Sequence, residues 1–299
     1  VACLYTSVEG KRRLRIHNLS LNTSSQHVDI YRLCDLDSHV NWLAKFTCRA
    51  ALSKPHSAIS EELTTRLAQS LFAYRRYCTG PGIGAGSGGA GNFASPAELV
   101  LPETLKLLPL FVQSLIKCDA IKPALDITLD DKSLAIFLIL GMDSFETNIL
   151  LYPRLYSIHN LPDGFETLPT PLRCSFERVS ADSAYIVDNG ISGLILWLGN
   201  QLPSDWLLAA FGVARLDQIE ENKNCLPEMP TPVSQGLHHL IRLIRANHRR
   251  YCRLMVIRQS DKSEIWFKRF MYEDRIDQRS ISYLEYLCHI HKEVRSLLK

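Results

Sequence analysis

The feature that most limits what this chain can fold into is a change of hydrophobic period at Asp35. Upstream, Leu4 and Tyr5 are strand-like, Glu9-Gly10 reads as a turn, and Leu14, Ile16, Leu19 and Leu21 alternate with polar residues. Alternation places one face of a strand in a core and the other in water. From Asp35 onward, Leu36, Val40, Leu43 and Phe46 or Thr47 share one face of a helix instead. A chain that switches period in this way joins the end of a β-structure to a helical unit. A lone hairpin is not stable in water. Residues 1–34 are therefore expected to be the C-terminal strands of a β-sandwich. The chain opens on Val1 rather than Met, so the partner strands are expected upstream and the whole reads as the C-terminal part of a longer protein.

Helical spacing continues to residue 152. The first helix ends near Pro55. Ile59, Leu63, Leu67, Leu71, Tyr74 and Cys78 follow at helical intervals, with Ser57 or Ser60 as the expected N-cap. Residues 80–95, GPGIGAGSGGAGNFAS, are a low-complexity tract expected to be a flexible loop. A further helix is expected from Pro102-Glu103, broken or kinked at Pro109 and resumed over Phe111 to Lys117. Asp130-Asp131 are expected to cap a helix through Leu134, Phe137, Leu138 and Leu140. A last helix runs from Ser144 to Leu151 and stops at Tyr152-Pro153.

Pro162, Pro169 and Pro171 mark a linker, after which strands and helices alternate over residues 168–299. Ala184 to Asp188, Asn189-Gly190 and Ile191 to Leu198 read as a strand, a two-residue type I′ turn and a return strand. The return strand is apolar on both faces and is expected at the centre of a sheet covered on each side. Ser204 is expected to cap a helix from Asp205 to Phe211 that Gly212 ends. Val233 to Asn247 is a helix with Leu237, Leu240, Ile241 and Ile244 inward. Leu254 to Ile257 and Ile265 to Tyr272 read as strands. Ser282 and Glu285 form a capping box for a closing helix with Leu287, Ile290, Val294 and Leu297 inward. The fold class is multidomain: the end of a β-sandwich, an all-α domain, and an α/β domain with helices on both sheet faces.

Hydrophobic residues at 46% and charged residues at 22% are ordinary for a globular protein, and a net charge of +3 is too mild to indicate nucleic acid. No apolar run reaches transmembrane length. The nine cysteines are scattered, odd in number and never spaced as CxxC, which fits reduced, buried thiols in the cytosol rather than a disulfide or zinc framework.

Motifs for catalysis fail on context. Gly84 to Gly89 spells GxGxxG and Ser87 sits in AxSxG, but the tract follows a helix, whereas both motifs need a strand before them. Walker A and HExxH are absent. Cys288 and His291, with His289, and the pair His238-His239 fall short of four zinc ligands. Asp35, Asp37, Asp130 and Asp131 read as caps and turns. Two basic groups remain. Lys11, Arg12, Arg13 and Arg15 either receive acidic peptides or anionic headgroups, or are a solvated strand face with Arg12 snorkelling beside Leu14 and Ile16. Arg242, Arg245, His248, Arg249, Arg250 and Arg253 run from a helix into a loop and suit a membrane or an acidic partner. No RRM, KH or zinc-finger signature supports nucleic acid. Trp266-Phe267 beside Lys268-Arg269 form either a peptide pocket or core packing.

Several blocks carry a family resemblance in their order. They are GKRRLRIHNLSL with NTSS, YRLCDLDSHVNWLAK, AYRRYC, LPETLKLLPLFVQSLIKC, LLYPRLYSIHNLP, DNGISGLILWLG, CLPEMP and FMYEDRIDQRSISYLEYLCHIHKEV. Together they resemble the cargo-adaptor subunit of the inner COPII coat, the Sec-twenty-four family, in its helical and gelsolin-like domains. HNLSLNTSS and YLEYLCHIHKEV are most similar to the vertebrate C and D type. The resemblance implies a non-enzymatic coat protein that selects cargo for transport from the endoplasmic reticulum to the Golgi. It would be cytosolic and peripheral on the reticulum membrane and on COPII vesicles. Implied partners are the paralogous GTPase-activating coat subunit, cytosolic export signals of transmembrane cargo and SNAREs, the coat small GTPase and the anionic membrane surface. Zinc is implied only for a ribbon outside this chain, with no cofactor within it. The GTPase-activating paralogue is one alternative, but no segment like GGSQARF stands near Arg253 to Phe267, so no catalytic arginine is carried over. A gelsolin-like actin-binding module is the other.

Overall fold

Alternating and helical periods do separate in space. The computed structural model describes residues 1–21, 23–79, 98–123, 127–159, 161, 164–190, 193–220, 224–276 and 280–298. The glycine-rich tract and the sites read in it lie outside these residues. Strands β1 (Ala2–Thr6) and β2 (Arg12–Ile16) pair antiparallel, with Leu4 opposite Leu14 and Tyr5 opposite Arg13. Among the described residues no third strand joins them, and every residue of both is exposed. The alternation expected to continue through Leu19 and Leu21 does not form a strand; both side chains point into water.

The helical unit begins before Asp35. Helix α1 (His27–Leu33) falls in the stretch expected to be strands, and Tyr31 Oη donates to Ser70 O at 2.6 Å. Helix α2 (Leu36–Ala50) is capped by Asp35, whose carboxylate accepts from Ser38 N. Val40, Leu43, Ala44, Thr47 and Cys48 are buried, so Thr47 faces in and Phe46 out. Thr47 is accommodated because its hydroxyl donates to Leu43 O at 2.7 Å. Helix α3 (His56–Cys78) starts at Pro55, not at a serine cap; Ser57 and Ser60 lie inside it. Pro109 sits in the first turn of α4 (Leu108–Lys117), where it has no hydrogen bond to lose, so it starts this helix rather than breaking one. Residues 103–105 before it are a separate 3₁₀ turn. The cap of α5 (Leu129–Gly141) is Thr128, with Asp130 and Asp131 in the first turn. Of this helix, apolar on every side from Leu134 to Leu140, Ile136 and Ile139 are buried while Leu134 and Phe137 are exposed. Helix α6 (Ser144–Leu151) is capped by Asp143.

Four strands then make a mixed sheet in the order β3 (Arg154–Ser157), β4 (Ala184–Asp188), β5 (Leu194–Leu198), β6 (Leu254–Arg258). Pairing is antiparallel except between β5 and β6. Asp188 opposes Leu194, so the β4–β5 connection spans 189–193 and is longer than the expected two-residue turn. Strand β5 is central and buried on both faces. Leu194, Leu196 and Leu198 meet α7 (Ser204–Phe211) and α8 (Pro232–Ala246), while Ile195 and Trp197 meet Tyr185, Phe267 and Met271. Ser204 is the first residue of α7 rather than its cap, which falls on Pro203, and α8 is capped by Thr231. Gly212 does end α7, in the left-handed conformation at φ 70°.

The segment expected as a strand over 265–272 opens instead on the single-turn α9 (Ile265–Lys268), which a 3₁₀ turn at Lys262–Glu264 precedes. Phe267 and Met271 are both buried against the sheet while Ile265 is exposed, whereas a strand would place all three on one face. Tertiary burial here overrides β propensity. The closing helix α10 (Tyr283–Leu297) has the expected Ser282–Glu285 capping box. It packs on α3, with Tyr286, Ile290 and Val294 in the helical core, while Leu287 is half-buried and Leu297 exposed. Although it follows the α/β unit in sequence, α10 completes the helical one.

Candidate functional site

The two basic groups read from the sequence have different fates. On the hairpin, Lys11 and Arg13 both reach Glu9, at 3.3 and 3.7 Å. Arg12 shares the face of Leu14 and Ile16, and Arg15 that of Arg13. All four are exposed, and their ion pairs are of the solvated kind that contributes little.

The second group is dispersed rather than presented as one patch. Arg245 folds back: its Nε donates to Cys252 O at 3.0 Å and its guanidinium lies 4.8 Å from the Tyr251 ring centre. His248 is buried on Asp188. Arg249 crosses to the helical unit and pairs with Asp143 at 2.8 Å. Arg253 Nε donates to Asn224 Oδ1 at 3.2 Å. Arg242 and Arg250 are exposed and make no ion pair with a described residue. Arg242 stands at the rim of a cavity of about 570 Å³ beside His159, Phe165 and His239.

Trp266 and Phe267 part company on α9. Phe267 stacks on Trp197, with ring centres 5.0 Å apart, inside the core. Trp266 is half-exposed beneath the Arg269 guanidinium at 5.2 Å. Arg269 in turn reaches Asp119 after α4 at 2.5 Å, and Lys117 Nζ donates to Tyr272 O at 2.8 Å. Trp266 thus lies beside the junction of the helical and α/β units.

Sequence reasoning missed the polar centre of that junction. Glu273 is buried; it accepts from Tyr152 Oη at 2.5 Å and is forked by the Arg173 guanidinium. Tyr152 Oη also accepts from Cys174 N at 3.0 Å, and burial pushes the Tyr152 phenol pKa upward. A buried carboxylate satisfied by a bidentate arginine and a phenol fixes orientation as well as adding stability. These residues lie far apart in sequence and follow no period, so no local signal marks them.

A third surface carries exposed aromatics. Trp42 and Phe46 of α2 stack at 5.4 Å beside Lys45 and Arg49, in an open groove of about 490 Å³.

The pairing of His248 with Asp188 is of the kind that serves acid/base catalysis, but both side chains are almost completely buried and leave no opening for a substrate. No described group of three or more His, Cys, Asp or Glu residues is placed to hold a metal ion. Among the described residues no helix is long and apolar enough to cross a membrane.

Seven helices among the described residues, α1–α6 and α10, joined through a buried seam to a four-stranded α/β unit, make a two-unit assembly of the Sec23/Sec24 type. Residues 35–148 match the profile of the Sec23/Sec24 helical domain, and residues 165–241 match that of the gelsolin repeat. The chain belongs to the Sec24 family. It is 39% identical to human protein transport protein Sec24C over 99% of its own length and 26% of that protein. Human Sec24D is 32% identical over 99% of this chain and 28% of its own. Arabidopsis thaliana SEC24 C is 30% identical over 98% and 26%. The crystal structure of the human COPII-coat protein Sec24c matches with a TM-score of 0.88 and 38% identity, covering all of this chain and 38% of that one. The chain thus spans about a quarter to a third of the relatives it matches.

Proposed function

We propose that this chain forms the helical and gelsolin-like portion of the cargo-adaptor subunit of the inner COPII coat, acting without catalysis in transport from the endoplasmic reticulum to the Golgi. The observation that carries this reading is the end-to-end likeness to human COPII-coat protein Sec24c. The buried seam at Glu273 supports a rigid scaffold role, because a coat subunit must hold its surfaces at fixed spacing. On this reading the protein is cytosolic and peripheral on the reticulum membrane. Its partners are the GTPase-activating paralogue, the coat small GTPase, export signals of transmembrane cargo and SNAREs, and anionic lipid. Arg242, Arg250, Trp266 and the hairpin residues Lys11, Arg12, Arg13 and Arg15 are the candidate contacts, with Arg245 and Arg249 contributing through their neighbours. Zinc belongs to a ribbon outside these residues.

The test is a chimaera of human Sec24C in which this chain replaces its matching C-terminal portion. Reconstituted budding from reticulum membranes is expected to package cargo at near the parental level. A folded chimaera that supports no budding would overturn the proposal. The gelsolin-repeat match makes actin the second reading. Co-sedimentation with filamentous actin separates the two, and pelleting with filaments would favour it.

A further inference from the structure

Helix α2 presents two faces. Its core face is the buried set from Val40 to Cys48. On the other side, Ser38, Asn41, Trp42, Lys45, Phe46 and Arg49 follow the helical repeat as one stripe, about 16 Å long at 1.5 Å per residue. Asp143 and Ser144, at the start of α6, close the far wall of the groove.

Two properties of the stripe stand together. Trp42 is 53% exposed and Phe46 36%, and their stacked rings continue into the Arg66 guanidinium, 4.8 Å from the Phe46 ring centre. Beside this ladder, neither Lys45 nor Arg49 makes an ion pair with a described residue. The acids nearby are already engaged: Asp143 with Arg249, and Glu62 with Lys54 and Arg66. The charge left unmatched is positive and lies next to an aromatic platform.

We propose that this stripe is a docking groove for a short acidic peptide with one apolar anchor, a site separate from the surfaces at Arg242, Arg250 and Trp266 and additional to the coat role above. The anchor packs on Trp42 and Phe46, and the peptide's carboxylates meet Lys45 and Arg49. Spacing favours an extended peptide. Lys45 and Arg49 are one helical turn apart, about 6 Å along the axis. Alternate residues of an extended strand repeat at about 6.6 Å, so two acids flanking one residue match two cations flanking one turn. A flat anionic surface has no such register to match.

Fluorescence anisotropy of the complete chain with a fluorescein-labelled peptide DEDLFEDE tests the proposal, with NQNLFQNQ as the uncharged control. Saturable binding is expected at a Kd of about 10–100 μM. It should weaken about tenfold or more in K45E/R49E and in W42A, and weaken as salt rises. All three side chains are on the surface, so thermal melts of the variants should match the parent. No saturation up to about 1 mM peptide, equal binding of the control, or indifference to K45E/R49E would each overturn the proposal. Two further results would replace the peptide with another occupant. Flotation with phosphatidylserine vesicles that W42A abolishes, without peptide binding, would point to a membrane. A dimer in sedimentation that W42A dissociates would point to a second copy of the chain.

Discussion

His248 Nε2 lies 2.9 Å from Asp188 Oδ2, with side chains only 3% and 2% exposed. Asp188 ends β4 and its other oxygen accepts from Gly190 N, so one carboxylate ties the end of a strand to the loop that leaves α8. The neighbouring Arg249 makes its ion pair on the surface. Two adjacent residues of one basic run therefore differ in energetic weight.

Removing one partner of a buried pair strands the other. Asp188→Ala is expected to cost about 3–5 kcal/mol in urea unfolding, and Arg249→Ala about 0.5 kcal/mol or less. Equal losses in the two variants would show that the buried pair does not anchor this corner.

Acid stability should report on the cap of α10. The Arg275 guanidinium and the amide and hydroxyl of Ser282 hold the Glu285 carboxyl pKa down to about 2, from an ordinary 4.5. A carboxyl depressed in the folded state adds stability above its unfolded value, and that stability is lost as pH falls through the folded one. Melting temperature should therefore decline between pH 4.5 and about 2, and Glu285→Gln should flatten that part of the profile. An unchanged slope in the variant would exclude Glu285 as its source.

Closure of the helical unit by α10 predicts shared cooperativity. Ile290 is fully buried among residues of that unit, and Ile290→Ala is expected to cost about 2–5 kcal/mol. It should shift the same unfolding transition as Leu71→Ala in α3. If the two act on separate transitions, α10 folds with the α/β unit instead.

Gly193 precedes β5 at φ 146°, and a Cβ there would stand 2.1 Å from Arg253 O, the carbonyl that accepts from Leu194 N. No side chain can move aside because the obstacle is backbone. Gly193→Ala should cost about 3 kcal/mol or more in thermal or urea unfolding. A loss below about 1 kcal/mol would mean that the first β5–β6 contact relaxes freely.

Thiol labelling should divide the cysteines by burial. Cys3, Cys225 and Cys288 are exposed and should react within the dead time of a disulfide-exchange reagent. Cys48, Cys118 and Cys174 should wait for unfolding. Burial raises all three thiols, Cys118 to about 12, so little thiolate is present near neutrality. Mass spectrometry of the quenched reaction gives the assignment.

Periodic features were legible because they are local. The stripe from Ile59 to Leu71, the all-apolar β5 and the Ser282–Glu285 box follow from spacing that each helix or strand imposes on itself. Phe46 against Thr47 could not be separated by spacing, since adjacent positions both fit the edge of an apolar face. Aromatics at Trp266 and Phe267 read as a strand because β propensity is weak evidence until the opposite wall is known. The hairpin's unpaired faces and the groove beside Trp42 are exposed aromatic or aliphatic surface, which sequence patterning cannot tell from core.

The sequence by itself determined the succession of a hairpin, a helical unit and an α/β unit, and its ordered motifs carried the family. Hydrophobic period and turn chemistry act over a few residues, and order along the chain survives translation into space. Only tertiary structure decided that α10 returns to the helical core, that one basic run splits between a buried pair, a domain-crossing bridge and two exposed arginines, and that Glu273 joins Tyr152 to Arg173. Those outcomes depend on which side chains from distant segments can share one desolvated volume, a condition that no local pattern encodes.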